Sequence, residues 1–316
     1  MSEYIRREMS EKYGRSVKSE KTGKSGQIRL SRRLSEAFLS SVVYGAAGVS
    51  LLLLLGMMGY VFFRGFRTLS FRFFTTVSST LKGTVGIAGN LVNTLYMIVI
   101  TLLIAVPVGV GGAIYLSEYA RPGRLVRLIE FAMDILTGIP SVVFGLFGMV
   151  FFGNVLGLGY SVLNGSLTLS LMVLPLIVRN TQEALRATPE GYRNGALGLG
   201  AAKWYMIRTI LLPSAMPGIL TGVILAAGRI LGESAALIFT AGSARLLPRL
   251  TGVLGEDLEK LGQKIWEPGG TLTLELYLQA EKGQYKTAFG IGSVLILMAL
   301  FIDLLLKLAG GKVERT

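Results

Sequence analysis

Long uncharged stretches alternate with short charged ones along this 316-residue chain. Ala37–Phe63 holds 27 residues without a charge, Gly83–Ser117 holds 35, Ile135–Val178 holds 44 and Thr209–Gly228 holds 20. A helix needs about 20 apolar residues to cross a hydrocarbon core, where every backbone polar group has to be satisfied within the segment. The pattern therefore predicts an all-α, polytopic membrane protein with six spans: Ala37–Phe63, Ala88–Tyr115, Phe131–Phe152, Ser166–Thr181, Pro213–Thr240 and Thr287–Leu308. The 44-residue run is too long for one helix, and its Gly/Asn-rich stretch from Gly153 to Gly165 supplies the break. The second span is expected to kink near Pro107, Gly109, Gly111 and Gly112. In the third, Gly138, Pro140 and Gly145 suit either a helix that flexes around a path or one that packs closely on a neighbour.

The charges between the runs give the orientation. Inner loops are expected to carry Arg121, Arg124 and Arg127, then Arg179, Arg186, Arg193, Lys203 and Arg208, while the short connection 153–165 has no Lys or Arg. Lys and Arg accumulate on the cytoplasmic side, which predicts that both termini are cytoplasmic. The organisation that follows is a basic tail over 1–36, a first span and outer loop over 37–86, a core over 87–308 and a short C-terminus over 309–316. The tail holds ten Lys/Arg before Leu34 and few apolar residues, so it is expected to be disordered and to rest on anionic lipid.

Composition removes other classes. Only 16% of residues are charged, and there is no cysteine and no histidine. That excludes disulfides, thiolate chemistry and the usual zinc sites. The net charge of +13 is spread over the tail and the loops, a topological distribution rather than a nucleic-acid-binding face. Gly23-Lys24-Ser25 lacks the upstream glycine of a phosphate-binding loop, since position 18 is Lys. No cofactor is expected on this chain.

Between spans four and five, residues 188–206 read as a short cytoplasmic helix, a glycine turn and an interfacial segment. Thr188 is the expected N-cap, with Pro189 and Glu190 opening the helix. Gly195, Gly198 and Gly200 allow a turn, and Trp204 and Tyr205 suit the membrane interface. The spacing here resembles that of binding-protein-dependent ABC importers, whose permeases carry Glu-Ala-Ala, three residues, Gly, nine residues and Ile-x-Leu-Pro. In this chain Asn194-Gly195-Ala196 stands at the triplet, Gly200 at the glycine and Ile210-Leu-Leu-Pro213 at the end, so the spacing is kept and the acid is replaced by Asn194. The resemblance implies a coupling helix that docks in a groove of an ATPase subunit, with Glu190 and Arg193 beside the motif.

Ionisable groups at membrane depth need a partner or a task. Arg229 and Glu233 are four apart and, in a continuous helix, share a face and can pair. Arg229 lies 16 residues past Pro213, roughly 24 Å along a helix. A guanidinium there suits an oxyanion in a translocation path, with Glu233 neutralising the empty site; the other reading is a structural ion pair. Gly228 and Gly232 offer a small surface to a neighbouring helix. Arg179 either sets topology or lines the path. Asp134 is expected to pair with Arg127 or cap a helix, and Asp303 with Lys307.

A closer resemblance lies in Ile114-Tyr-Leu-Ser-Glu-Tyr119, in Asp134-Ile-Leu-Thr-Gly-Ile-Pro-Ser-Val-Val-Phe-Gly-Leu-Phe147 and in Gly232-Glu-Ser-Ala-Ala-Leu-Ile-Phe-Thr-Ala-Gly242. These segments resemble the permeases of the Pst-type phosphate importer, the A subunit more than the C subunit. The resemblance implies the type I (MetI-like) ABC importer permease architecture. It also implies phosphate as cargo, a sister permease in a heterodimer, two ATPase subunits that bind ATP and Mg, and an extracytoplasmic phosphate-binding protein. The charges alone would equally suit molybdate or sulfate, or a stand-alone anion carrier.

Overall fold

The computed structural model describes residues 36, 38–79, 84–245, 247, 259–260 and 262–313. The expected tail, apart from residue 36, lies outside the described residues, as does the end of the C-terminus. Two compact units are distinguished, Met1–Tyr60 and Val61–Thr316. The first unit holds most of helix α1 (Phe38–Phe66), whose Leu51–Leu55 run is 53–71% exposed, as suits contact with lipid.

The second unit takes up the end of α1 and continues with α2 (Phe71–Thr75) and a small antiparallel hairpin, β1 (Val77–Ser79) with β2 (Thr84–Ile87). The hairpin is the one departure from an all-helical chain among the described residues. It leads directly into α3 (Ala88–Ile114), which runs through Pro107 and is extended by a π-helical turn, Tyr115–Tyr119. Then come α4 (Arg124–Gly138), α5 (Ser141–Gly148, with a π-helical continuation Met149–Val155), α6 (Val162–Ala187) and the short α7 (Glu190–Gly198). The chain re-enters through α8 (Lys203–Met206) and a π-helical turn into α9 (Leu212–Gly232), followed by α10 (Ala235–Thr240), α11 (Leu272–Glu281) and α12 (Tyr285–Val313).

Five helices are long and apolar enough to span, and α4 with α5 supplies a sixth crossing in two pieces bent by 105°. The span expected over Phe131–Phe152 thus extends over Arg124–Val155 in two pieces, with the bend among the residues expected to allow one. The break falls at Ile139-Pro140: Pro140 has no N–H to donate and disfavours helix in the residue before it, so α4 stops at Gly138 and α5 restarts at Ser141. Gly138 has open space around it, whereas a Cβ on Gly145 would come within 2.8 Å of the Ala236 backbone. The bend thus belongs to Gly138 and Pro140, and Gly145 serves the contact of α5 with α10. The fourth span is longer than expected, because Ser161 accepts a hydrogen bond from the Asn164 N–H (3.1 Å) and caps it about one turn before the expected start at Ser166.

Helix α6 is the axis of the unit, packed by α3 on one side and α9 on the other, and the core cluster around Met97, Leu169, Val173, Ile177 and Ile230 lies among them. Close approach depends on small residues, as is usual where lipid removes the hydrophobic drive between helices. A Cβ on Gly109 would lie 2.7 Å from Ile177, one on Gly218 would lie 2.5 Å from Ala184, and one on Gly222 would lie 2.7 Å from the Asn180 Cβ. Gly222→Val is expected to push α9 off α6 at a cost of about 1–3 kcal/mol, read as a lowered aggregation temperature of the purified protein.

At the end of the unit that carries the hairpin, buried amides fasten described parts of the chain between α10 and α11 to the start of α3. Asn90 Nδ2 donates to the Gly270 carbonyl (3.0 Å), Asn93 Nδ2 to the carbonyls of Ala244 and Gly270 (both 3.2 Å), and the Leu272 N–H to Thr94 Oγ1 (2.9 Å). Arg245 and the buried Glu275 form an ion pair at 2.8 Å beside them. The described ends of this connection are therefore built onto the bundle rather than hung from it.

Candidate functional site

The end of the unit opposite the hairpin is organised around α7. Thr188, expected to open this helix, instead closes α6, and α7 begins at Glu190 after Pro189. Its other end is a Schellman cap: the Gly200 N–H donates to Leu197 O and the Ala201 N–H to Ala196 O, both at 3.0 Å. Gly200 has φ +82 and open space where a Cβ would go, so the glycine of the spacing motif is needed for conformation alone. Gly195 and Gly198 lie within the helix rather than in the turn. Gly200→Ala is expected to cost about 1–2 kcal/mol, visible as faster amide exchange across 190–198.

Arg193 ties this helix to the membrane part. Its Nη2 donates to Glu118 Oε1 at 2.8 Å and to the Leu185 carbonyl at 2.9 Å. The Glu118 side chain is only 8% exposed, so the pair is largely desolvated. Lys203 donates to the Glu118 carbonyl oxygen and places its ammonium 5.0 Å from the centre of the Tyr119 ring. Beneath them Leu185, Ala196, Met206, Ile207 and Leu211 form a core cluster, with Ile210 packed on it. Pro213 enters the first turn of α9, where its missing N–H costs nothing. Asn194 and Gly195 stay exposed, as do Tyr192, Leu197 and Leu199, the last at 92%. The result is a helix fixed on one face and apolar on the free face. Glu118 sits inside a motif singled out in the sequence, but its role needed the fold, because 75 residues separate it from Arg193.

At mid-depth the expected ion pair is not formed. Helix α9 ends at Gly232, and Glu233 turns to extended backbone (φ −81, ψ 127), so positions 229 and 233 do not share a helical face. Glu233 Oε1 instead accepts a hydrogen bond from the Ala236 N–H (3.0 Å), capping α10. Its negative charge then lies at the positive end of a helix. Arg229 is exposed and has no ion-pair partner among the described residues. Gly228 and Gly232 likewise have open space around them, and Gly228 lines a cavity of about 380 Å³ between α9 and Ala299, Ile302 and Asp303 of α12.

A second polar site lies where α4 meets α6. Arg179 pairs with Asp134, correcting the expected Asp134 partners, and both line a cavity of about 250 Å³ with Glu130, Gln182, Glu183 and Arg186. Asp303 and Lys307 pair at 2.8 Å as expected. Among the described residues no group of three or more carboxylates could hold a metal ion.

The comparisons with known proteins agree with this geometry. A family described as binding-protein-dependent transport system inner membrane component matches residues 105–315. The probable ABC transporter permease protein YqgI of Bacillus subtilis (strain 168) is 34% identical over 291 residues, 90% of this chain and 98% of that protein. The phosphate transport system permease protein PstA of Mycobacterium leprae (strain TN) is 33% identical over 224 residues, 69% of this chain and 73% of that protein. Among solved structures, a chain of the bacterial alginate ABC transporter in complex with alginate pentasaccharide-bound periplasmic protein gives a TM-score of 0.60 at 17% identity, covering 85% of this chain and 92% of that one. That last likeness is one of fold.

Proposed function

We propose that this chain, which belongs to the binding-protein-dependent transport system inner membrane component family, is the permease subunit of an ATP-driven importer that moves inorganic phosphate into the cell. The observation that carries phosphate is the 33% identity to a phosphate permease over 73% of that protein's length. The chemistry supports it: Arg229 is an exposed guanidinium inside a span with no ion-pair partner among the described residues, and guanidinium geometry matches two oxygens of a tetrahedral anion.

In this reading ATP and Mg are handled by two partner ATPase subunits, and α7 is the coupling helix, offering Tyr192, Leu197 and Leu199 to them. Its rigid attachment through Arg193 and Glu118 carries their movement to α3. The sister permease completes the path. It packs on the open Gly228–Gly232 step and on the apolar face of α5, where Val142, Val143, Leu146 and Phe147 are 41–49% exposed. An extracytoplasmic phosphate-binding protein delivers the anion to the outer side, both termini are cytoplasmic, and Arg229, Glu233 and Arg179 succeed one another along the path.

Reconstitution tests the assignment. Proteoliposomes with this chain, its sister permease, the ATPase and the binding protein are expected to accumulate labelled phosphate only with ATP and binding protein present. Uptake by this chain alone, without ATP, would assign it instead to stand-alone carriers. Suppression of phosphate uptake by equimolar sulfate or molybdate would move the assignment to another oxyanion.

A further inference from the structure

The cavity between α4 and α6 has a donor set that its own partners do not satisfy. Arg179, Gln182 and Arg186 lie at positions i, i+3 and i+7 of α6, on one face, and all three line the cavity. Gln182 is only 7% exposed, and its Nε2 is buried with no hydrogen-bond partner. A buried donor without a partner is rare in a folded protein, and its position among two guanidiniums points to an acceptor that comes and goes. Arg179 already holds one acceptor, the Asp134 carboxylate, although both side chains keep about half their exposure (46% and 58%). The pair is accessible to a competing anion from the cavity.

We infer that Asp134 is a tethered stand-in for the cargo: its carboxylate occupies the oxyanion position on Arg179 at rest, and the passing anion displaces it. The incoming tetrahedral oxyanion takes the guanidinium hydrogen bonds of Arg179 and the free N–H of Gln182. Displacement unties α4 from α6 at the inner end, so cargo arrival and opening are one event. The cavity's charges explain release. Three carboxylates (Glu130, Asp134, Glu183) face two guanidiniums (Arg179, Arg186), which leaves a net charge of −1. An anion therefore stays only while Asp134 is swung aside, and the return of Asp134 expels it. This inference rests on reading the chain as an oxyanion permease.

The test is binding of labelled inorganic phosphate to the complete transporter in lipid nanodiscs, without ATP or binding protein. Asp134→Asn keeps the shape and removes the tethered competitor, and binding is expected to tighten at least about tenfold. Adding Arg179→Gln is expected to abolish that binding, and adding Gln182→Leu to return it towards the native value. An intact Asp134→Asn complex that binds neither phosphate nor sulfate any tighter than the native one would overturn the proposal. A second measurement leaves Asp134 in place. The chain has no cysteine, so spin labels at Phe131→Cys on α4 and Ala187→Cys on α6 report the separation of these helices specifically. Phosphate is expected to widen it, and an unchanged distance would sink the idea. If sulfate tightens on Asp134→Asn and phosphate does not, the site stands and the phosphate assignment falls. If no anion does while the native complex still imports phosphate, the site falls and the importer reading stands.

Discussion

Arg193→Leu is expected to uncouple the transporter, leaving ATP hydrolysis running while phosphate uptake falls by at least tenfold. Among the described residues the guanidinium is the sole ion-pair partner of a carboxylate that is 8% exposed, and it also satisfies the Leu185 carbonyl. Removing one member of a buried pair strands the other, a loss of about 3–5 kcal/mol. The local penalty is discounted towards the lower figure, because Arg193 itself keeps 23% exposure. That energy fastens α7 to the end of α3, so its loss frees the helix to follow the ATPase without moving the membrane part. Glu118→Gln keeps a neutral acceptor and should give a milder form of the same phenotype. The charge swap Glu118→Arg with Arg193→Glu should rescue only partly, since a glutamate at 193 cannot donate to Leu185. Parallel ATPase and uptake assays on one reconstituted preparation check this: equal loss of both activities would indicate a folding defect rather than uncoupling.

Arg229→Gln is expected to reduce uptake by two orders of magnitude or more with ATPase assembly unchanged. A bidentate, charge-assisted contact to a desolvated anion is among the stronger polar interactions, on the order of 3 kcal/mol or more when lost in a membrane interior. No ion pair within this chain depends on Arg229 among the described residues, so its removal should leave the fold intact. Arg229→Lys retains charge but offers no planar fork, and should recover only a small part of the rate. Uptake by Arg229→Gln proteoliposomes at the native rate would remove Arg229 from the path.

Much of this was legible before any coordinates. Uncharged runs of 20 residues or more have few physical alternatives to membrane helices, so the number of crossings followed directly. The short helix expected in the loop that ends in Ile210-Leu-Leu-Pro213 lies within two residues of its observed start at Glu190. Local rules were less decisive at breaks. Thr188 is a good cap residue by type, yet it closes one helix rather than opening the next, because Pro189 starts the turn. The Arg229–Glu233 pairing failed for a similar reason: a spacing of four implies a shared face only if the helix continues, and α9 stops at Gly232.

The sequence by itself determined the bulk character of each segment: which stretches enter lipid, which loop carries the importer spacing motif, and that the chain carries neither thiol nor imidazole chemistry. These follow from composition within a window, where one dominant energy, the transfer of polar groups into hydrocarbon, decides. Only the tertiary structure decided the partners. Glu118 with Arg193, Asp134 with Arg179, and Gly222 against Asn180 join residues brought together by helix packing, and the choice among several charges of the right sign depends on rotation and depth of each helix. Those are set by close contacts of small residues along α6, a sum of many weak terms that no single window contains. The broken crossing at Ile139-Pro140 lies between the two cases: the proline announced an interruption, and the packing of Gly145 against α10 fixed where the second half went.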